Sequence, residues 1–392
     1  MKNNVKIIFH IDLNAFYASC AIIKEPYLKD KVFVVGGGVL RTGIITTSSY
    51  PARKYGIKSA MSIADAMRLY PKLLVVPTDF NLYQKYSKLF FNFLKQYSNL
   101  ILAGSIDEAY MDLTELSEKR HPLEIAKEMQ MRLLNEVGLP SSIGIAPTLF
   151  LAKMASDMQK PMGITVLRKK DIVEKLFPLP VRDIHGIGKK TYPKLEALGV
   201  KTIGDFTKDQ YKTDILTVMS IQNYEGVLDH LLGHSSDIVD PKKYSIPQSV
   251  SQETTLNYPI DHQQTLFEYL IEMLDAAYHR LIDEALVTKT VGIKLRDQSF
   301  HTITRSFSFI EPTDDYDTIY EHIESLFETN YQGEPLRLVG VSLSQVMLKK
   351  DLKVDINLFN YHELTKREEK IYQVMKDINE KYPKGVKKGV SS

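Results

Sequence analysis

The chain has 392 residues, 44% of them hydrophobic and 25% charged, enough for two to four domains at ~100–200 residues each. No apolar run approaches ~18 residues, which excludes a helical membrane span, and His10 and Asp12 break the apolar start before it can act as a signal peptide. Cys20 is the lone cysteine and the ten histidines show no HExxH spacing, so a disulfide framework or a thiolate zinc site is excluded and a cytoplasmic protein is expected.

In chain order, residues 5–11 alternate apolar positions and predict a strand that ends at Asp12. Residues 14–23 predict a helix and 32–35 a strand. Gly36, Gly37 and Gly38 then predict a turn; no GK[ST] follows, so a nucleotide P-loop is not indicated. Residues 61–69 and 82–97 suit helices, with a short strand at 73–76. Residues 101–113 form an apolar stretch carrying Asp107, Glu108 and Asp112. Helix at 123–137, strand at 141–145 and helix at 148–158 follow, the last stopped before Pro161. This alternation predicts a mixed α/β or α+β region over the first ~165 residues.

Residues 167–232 read as helical and basic, with glycine-containing turns. Residues 234–248 are polar and aperiodic, as an interdomain linker would be. A long helix at 263–286 and strands at 290–295, 302–309 and 336–345 predict a separate α+β domain. The tail after Met347 is charged and ends in an amphipathic helix.

Net charge is only +2, too little to announce a polyanionic partner. Local balance says more: residues 167–213 carry 11 Lys/Arg against 6 Asp/Glu, and the last 45 residues carry 11 against 7. Such basic segments suit nucleic acid, although a solvated surface gives the same composition.

Asp12 closes one apolar strand, while Asp107 and Glu108 lie in another. Carboxylates buried beside apolar residues need a partner or a metal. Three of them can hold two Mg²⁺ ions ~3.5–4 Å apart, the arrangement that serves phosphoryl transfer. Adjacent residues on a regular strand point to opposite faces, so Asp107 and Glu108 can share a site only at a turn or bulge, which Gly104 and Ser105 permit. A solvated strand edge explains the same acids. Tyr50 and Arg53 offer a phenol and a phosphate-gripping guanidinium. Lys153, Ser156, Asp157 and Lys160 share a polar helix face, with Lys160 at its end reaching outward; ordinary solvation of that face remains the alternative.

Gly186, Gly188, Lys189 and Lys190 form a Gly-x-Gly turn between helical stretches. That turn suits a helix-hairpin-helix gripping a duplex backbone, or an ordinary helix–helix connection. Farther on, Lys294, Arg296, Thr302, Thr304, Arg305 and Arg337 lie on or beside strands. Lys294 and Arg296, like Thr302 and Thr304, are two apart, so each pair shares a sheet face suited to phosphate or simply to water.

The motifs HIDLNAFYAS, TSSYPARKYGIKSAM, SIDEAYMDL, GIAPTLFLAKMASDMQKPMGI, DIHGIGKKT and LRLVGVSLS, in that order and spacing over residues ~5 to 347, resemble the Y-family DNA polymerases, most closely the bacterial DNA polymerase IV type. The resemblance implies an α+β multidomain right hand. Its parts would be a palm (ferredoxin-like sheet plus helices, 1–17 and 77–166), small fingers (18–76), a helical helix-hairpin-helix thumb (167–233), a linker (234–244), an α+β little finger (245–347) and a tail (348–392). It implies low-fidelity, template-directed translesion synthesis from dNTPs without proofreading, by a DNA-directed DNA polymerase acting as a monomer on primer-template DNA, off the membrane. Asp12, Leu13 (through its carbonyl), Asp107 and Glu108 would hold two Mg²⁺ ions, with Mn²⁺ as a substitute. Tyr17 would be the steric gate against ribose, with Phe16 beneath the sugar. Thr47, Tyr50, Arg53 and Lys160 would hold the triphosphate, and Ile44 would cover the base pair.

Three positions depart from the family. A Glu four residues past the gate is absent, Thr148-Leu149 replaces Asn-Lys, and Leu338 replaces an arginine beside Arg337. In the tail, 355–359 resembles a sliding-clamp-binding peptide anchored by Leu358 and Phe359. Two rival readings are a nucleotide cyclase, which needs no DNA-gripping segments, and a catalytically weak or inactive scaffold for DNA or clamp, which needs no acid trio.

Overall fold

The computed structural model of the protein describes residues 5–37 and 43–352. Gly38 and everything from residue 353 onward, with Leu358, Phe359 and the predicted terminal helix, lie outside them. The chain divides into two compact units, Met1–Ser245 and Ile246–Ser392.

The first unit runs β1 (Ile8–Leu13), α1 (Phe16–Lys24), β2 (Phe33–Gly37), β3 (Ile44–Ser48), α2 (Tyr50–Arg53), α3 (Ile63–Leu69), β4 (Leu74–Val76) and α4 (Phe80–Leu94). It continues through β5 (Ile101–Ala103), β6 (Glu108–Asp112), α5 (Thr114–Lys119), α6 (Pro122–Arg132), β7 (Ser141–Ala146), α7 (Leu149–Met158) and β8 (Ile164–Val166). Short helices complete it: α8 (Tyr192–Ala197), α9 (Ile203–Phe206), α10 (Asp209–Ile215) and α11 (Ile221–Leu231).

One sheet has the order β5-β6-β1-β7-β8, with β1 central and antiparallel to both neighbours. Period-two alternation divides β1 between two cores. Phe9, Ile11 and Leu13 pack in the cluster with residues of α1, α4 and α6, such as Phe16, Phe90 and Met129. Ile8 joins the cluster that contains α7 and the short helices. His10 and Asp12 therefore face α7 as well.

The closeness of α7 depends on Gly144 of β7, the register partner of His10. A Cβ there would stand 2.0 Å from the Ala152 carbonyl oxygen and 2.4 Å from the Ser156 nitrogen, distances that no side chain survives. Bare backbone lets the helix lie directly on the sheet.

A smaller sheet, β3-β2-β4, carries its own cluster around Val34, Ile45 and Ile63. Here β2 runs on through Gly36 and Gly37, which pair with Ile45 and Ile44, so these two glycines extend a strand where a turn was expected. In the aperiodic stretch after α11, Val239 is buried in the α7 cluster and Leu149 N donates to Ser236 O. That segment is therefore not a free linker along its whole length.

The second unit contains β9 (Ser249–Ile260), α12 (Gln263–Asp283), β10 (Leu286–Asp297), β11 (Thr302–Thr313), α13 (Tyr316–Asn330), β12 (Leu336–Ser344) and β13 (Met347–Leu348). Its main sheet has the order β11-β10-β12-β9. Leu266, Leu270, Leu274, Ala277 and Leu281 put one face of α12 into the core, joined by Ile319, Ile323 and Phe327 of α13. Each such leucine contributes roughly 1.5–3 kcal/mol when fully buried. The sequence does not predict β9, because only Val250 and Leu256 of its 12 residues are buried and a single-faced edge strand has weak patterning.

Candidate active site

Asp12 on β1 and Glu108 on β6 are Cα partners across the antiparallel ladder, so both carboxylates rise on the α7 side at the same level. Asp107 precedes β6 by one residue, at the end of a run of bends over 104–107. Gly104 N and Ser105 N both turn back to Glu108 O. Ser105 Oγ accepts from Asp107 N and donates to its Oδ1 at 2.5 Å. The expected turn is present, and it puts Asp107 at the sheet end, with its carbonyl accepting from Leu13 N at 2.9 Å.

Of the polar face of α7, Lys153 and Ser156 are buried against these acids, while Asp157 and Lys160 are exposed at its end. The Lys153 ammonium lies 2.6 Å from Glu108 Oε2, 3.0 Å from Asp12 Oδ2 and 3.7 Å from Asp157 Oδ2. Lys160, expected to reach outward, folds back to Asp12 Oδ1 at 2.8 Å and Asp157 Oδ1 at 2.7 Å. The physical reason is the Gly144 contact: a helix seated that close puts any lysine at position 153 over the sheet's carboxylates. Burial disfavours the charged Lys153, but Asp12, Asp157 and Glu108 outweigh it and raise its pKa.

His10, buried completely, also belongs to this site. Its Nδ1 lies 2.8 Å from Ser156 Oγ, and its Nε2, buried without a hydrogen-bond partner, lies 3.5 Å from Glu108 Oε2. His10 and Lys153 hold Glu108 well below the usual carboxylate range. Asp107 goes the other way, raised by burial and by the charges of Asp12 and Glu108. Neither His10 nor Lys153 was assigned a role from sequence. The signal for His10 existed, since it sits two residues before Asp12 and so on the same strand face.

The neighbouring groups assemble around the acids. Tyr17 stacks on Tyr83 with ring centroids 4.2 Å apart and lies near enough to Asp107 that burial and that charge together raise its phenol pKa. Phe16 is buried beside it. The Tyr50 hydroxyl is buried without a hydrogen-bond partner, the Arg53 guanidinium lies 4.6 Å from its ring centroid, and Arg53 Nε donates to Ser48 O. Burial raises the Tyr50 pKa while the charges of Arg53 and Lys160 oppose the rise. Thr47 is buried on β3 and Ile44 is exposed there.

Among the described residues no three His, Cys, Asp or Glu side chains converge as a ready-made metal cluster. The donor chemistry nonetheless fits hard divalent cations. Asp12 and Glu108 already direct one oxygen each at a single positive charge, the Lys153 ammonium, and Asp107 stands beside them.

The residues expected to grip DNA divide into two sets. Gly186, with φ of 95°, and Gly188 have open space where a side chain would be, Lys189 and Lys190 are exposed, and the Gly188 carbonyl accepts from the first amides of α8. On the second unit's sheet, Lys294 faces Thr304 and Arg296 faces Thr302 across β10 and β11. Gly292, Gly340, Ser251, Ser306 and Ser342 share that open face. Lys294 is paired with Glu253, and Arg296 Nε donates to Thr302 Oγ1. Arg305 is one residue out of step: it lies opposite Ile293, and its Nε donates to Asn330 of α13. Arg337 stacks on Phe300 at 3.9 Å.

Residues 11–157 match the impB/mucB/samB family, 247–358 its C-terminal domain and 169–200 the IMS family HHH motif. The DNA polymerase IV of Bacillus velezensis (strain DSM 23117 / BGSC 10A6 / LMG 26770 / FZB42) is 39% identical, covering 97% of this chain and 92% of that protein. DNA polymerase IV 1 of Bacillus subtilis (strain 168) is 38% identical over 100% of this chain and 94% of its own length. Among solved structures, a Y-family DNA polymerase chimera, Dbh-Dpo4(243-245)-Dbh, superposes with a TM-score of 0.77 at 24% identity, covering 87% of this chain and 99% of its own. An insertion ternary complex of Dbh DNA polymerase gives 0.64 at 23% identity over the same shares.

Proposed function

This chain belongs to the Y-family of DNA polymerases in its bacterial DNA polymerase IV form, the impB/mucB/samB family, and from that premise we propose that it copies DNA templates, damaged ones included, at low fidelity. The primer 3′-oxygen attacks the α-phosphorus of a dNTP, the new P–O bond forms as the bond to the β-phosphate breaks, and pyrophosphate leaves. The single observation that carries this is the pairing of Asp12 with Glu108 at one level of the sheet beside Asp107. Side chains able to bind a nucleotide close that site.

Asp12, Asp107, Glu108 and the Leu13 carbonyl would hold two Mg²⁺ ions, or Mn²⁺ in their place. When bound, the ions neutralise the triphosphate and lower the pKa of the attacking hydroxyl. The chain's own groups do the rest. The unpartnered Tyr50 hydroxyl, the Arg53 guanidinium and the Lys160 ammonium offer donors to phosphate oxygens, with Thr47 beside them. Tyr17, braced by Tyr83, presents a rigid ring where a ribose 2′-OH would sit, over buried Phe16. Exposed Ile44 would meet the nascent base pair.

The palm, fingers, thumb and little-finger boundaries given above follow from the same family likeness. So do action as a cytoplasmic monomer without proofreading and tethering to a sliding clamp through Leu358 and Phe359. Gly186 to Lys190 would grip the duplex backbone, and Lys294, Arg296, Thr302 and Thr304 would line a second contact. Arg337, and Arg305 from its offset position, would add charge there. Extension of a labelled primer by the purified chain with dNTPs and Mg²⁺ is the test. Robust extension by the wild type and none by Asp107→Ala, with DNA affinity preserved, is the expected pattern; a folded wild type that adds no nucleotide with Mg²⁺ or Mn²⁺ refutes the proposal.

A further inference from the structure

The acid site contains cations of its own: Lys160 on Asp12 Oδ1 at its edge and Lys153 between two of the acids. Asp12, Asp107 and Glu108 bring three carboxylates to one sheet end, where mutual repulsion opposes folding. The Lys153 ammonium sits between two of them, 3.0 Å from Asp12 Oδ2 and 2.6 Å from Glu108 Oε2. These are oxygens a divalent cation would need, so lysine and metal ion compete for the same space and the same charge. The lysine also has somewhere to go. Asp157, one helical turn on and more exposed, uses Oδ1 to hold Lys160 at 2.7 Å but keeps Oδ2 at 3.7 Å from Lys153. A short swing of Nζ converts that long contact into an ion pair.

We propose that Lys153 is a positioning residue, a resident counter-ion that holds Asp12 and Glu108 together in the metal-free chain and transfers to Asp157 when a divalent cation enters. The inference rests on the reading of the two acids as metal ligands. The helix delivers a placeholder to the site in advance. A lysine there cannot be a passive surface charge, because the helix backbone is clamped on Gly144 and the side chain is almost fully buried.

The test is Mn²⁺ titration of the full chain, followed by loss of the free-ion paramagnetic resonance signal, alongside Tm in chelator and in excess Mn²⁺. Lys153→Met should bind Mn²⁺ about tenfold more tightly than wild type and should melt lower in chelator, with the deficit removed by Mn²⁺. Lys153→Arg, which keeps the charge, should stay near the wild-type affinity. Asp157→Asn, on an exposed side chain that tolerates change, should bind Mn²⁺ several-fold more weakly, and should lose that effect when combined with Lys153→Met. Unchanged or weaker Mn²⁺ binding in folded Lys153→Met overturns the proposal. If that variant does not fold, an unchanged affinity in Asp157→Asn overturns it instead. If wild-type Mn²⁺ binding survives Asp12→Asn undiminished, the assignment of the ligands has failed, which is a separate result from a failure of the lysine's role.

Discussion

At the scale of single residues, the site is a set of aromatic and charged groups that hold one another still. Tyr17 is fixed by stacking on Tyr83 and lies near Asp107, so its ring has little freedom to yield to a bulkier sugar. Replacing it tests that rigidity directly: Tyr17→Ala should raise ribonucleotide incorporation relative to deoxynucleotide by a hundredfold or more, on the order of 3 kcal/mol of lost discrimination. Single-nucleotide kinetics with paired rNTP and dNTP measure it, and unchanged sugar selectivity would remove Tyr17 from the gate. Much at this scale was legible in the sequence. An acid closing an apolar strand and two adjacent acids after Gly-Ser already required a turn at Asp107, and the turn is there. The partners of Lys153 were not legible, because spacing on a helix reports which residues share a face, not what lies opposite. Only the third dimension puts Asp12 and Glu108 in front of it.

At the scale of elements, the decisive contact is between α7 and β7. Helix and strand meet backbone to backbone at Gly144, and that contact sets the height of Lys153 and Ser156 over His10, Asp12 and Glu108. Gly144→Ala should therefore destabilise the first unit by about 3 kcal/mol through overpacking. It should also lower primer extension more than DNA affinity, since the helix must lift from the acids. Melting curves and extension assays on the same preparation check both, and a variant with wild-type Tm would mean the helix has room to spare. Most helices and strands around this contact could be read from periodicity, Ser141–Ala146 and Leu149–Met158 almost to the residue. Several elements escaped, β3 and α5 among them, and two show different reasons. The edge strand β9 buries too little to leave a pattern, whereas α13 carries a legible one, with Ile319, Ile323 and Phe327 four apart and an Asp315 cap.

At the scale of the whole molecule, a near-neutral chain carries its positive charge locally. Lys189 and Lys190 are exposed beside the open Gly186 and Gly188, so their contribution should be measurable as counter-ion release. Changing both to Ala should flatten the plot of log affinity for duplex DNA against log salt by about 1.8, roughly 0.9 for each lost phosphate contact. The same slope in both proteins would place the duplex elsewhere. The order and spacing of six motifs made the family legible over residues ~5 to 347, because a constrained order survives where any one motif would be ambiguous. Each unit also has a core of its own: Leu270, Phe327 and their neighbours in the second, Phe9, Leu151 and theirs in the first. Damage to one core need not spread into the other. Heritable change can therefore alter the second unit's sheet, which we propose contacts DNA, while the acids of the first are passed on untouched.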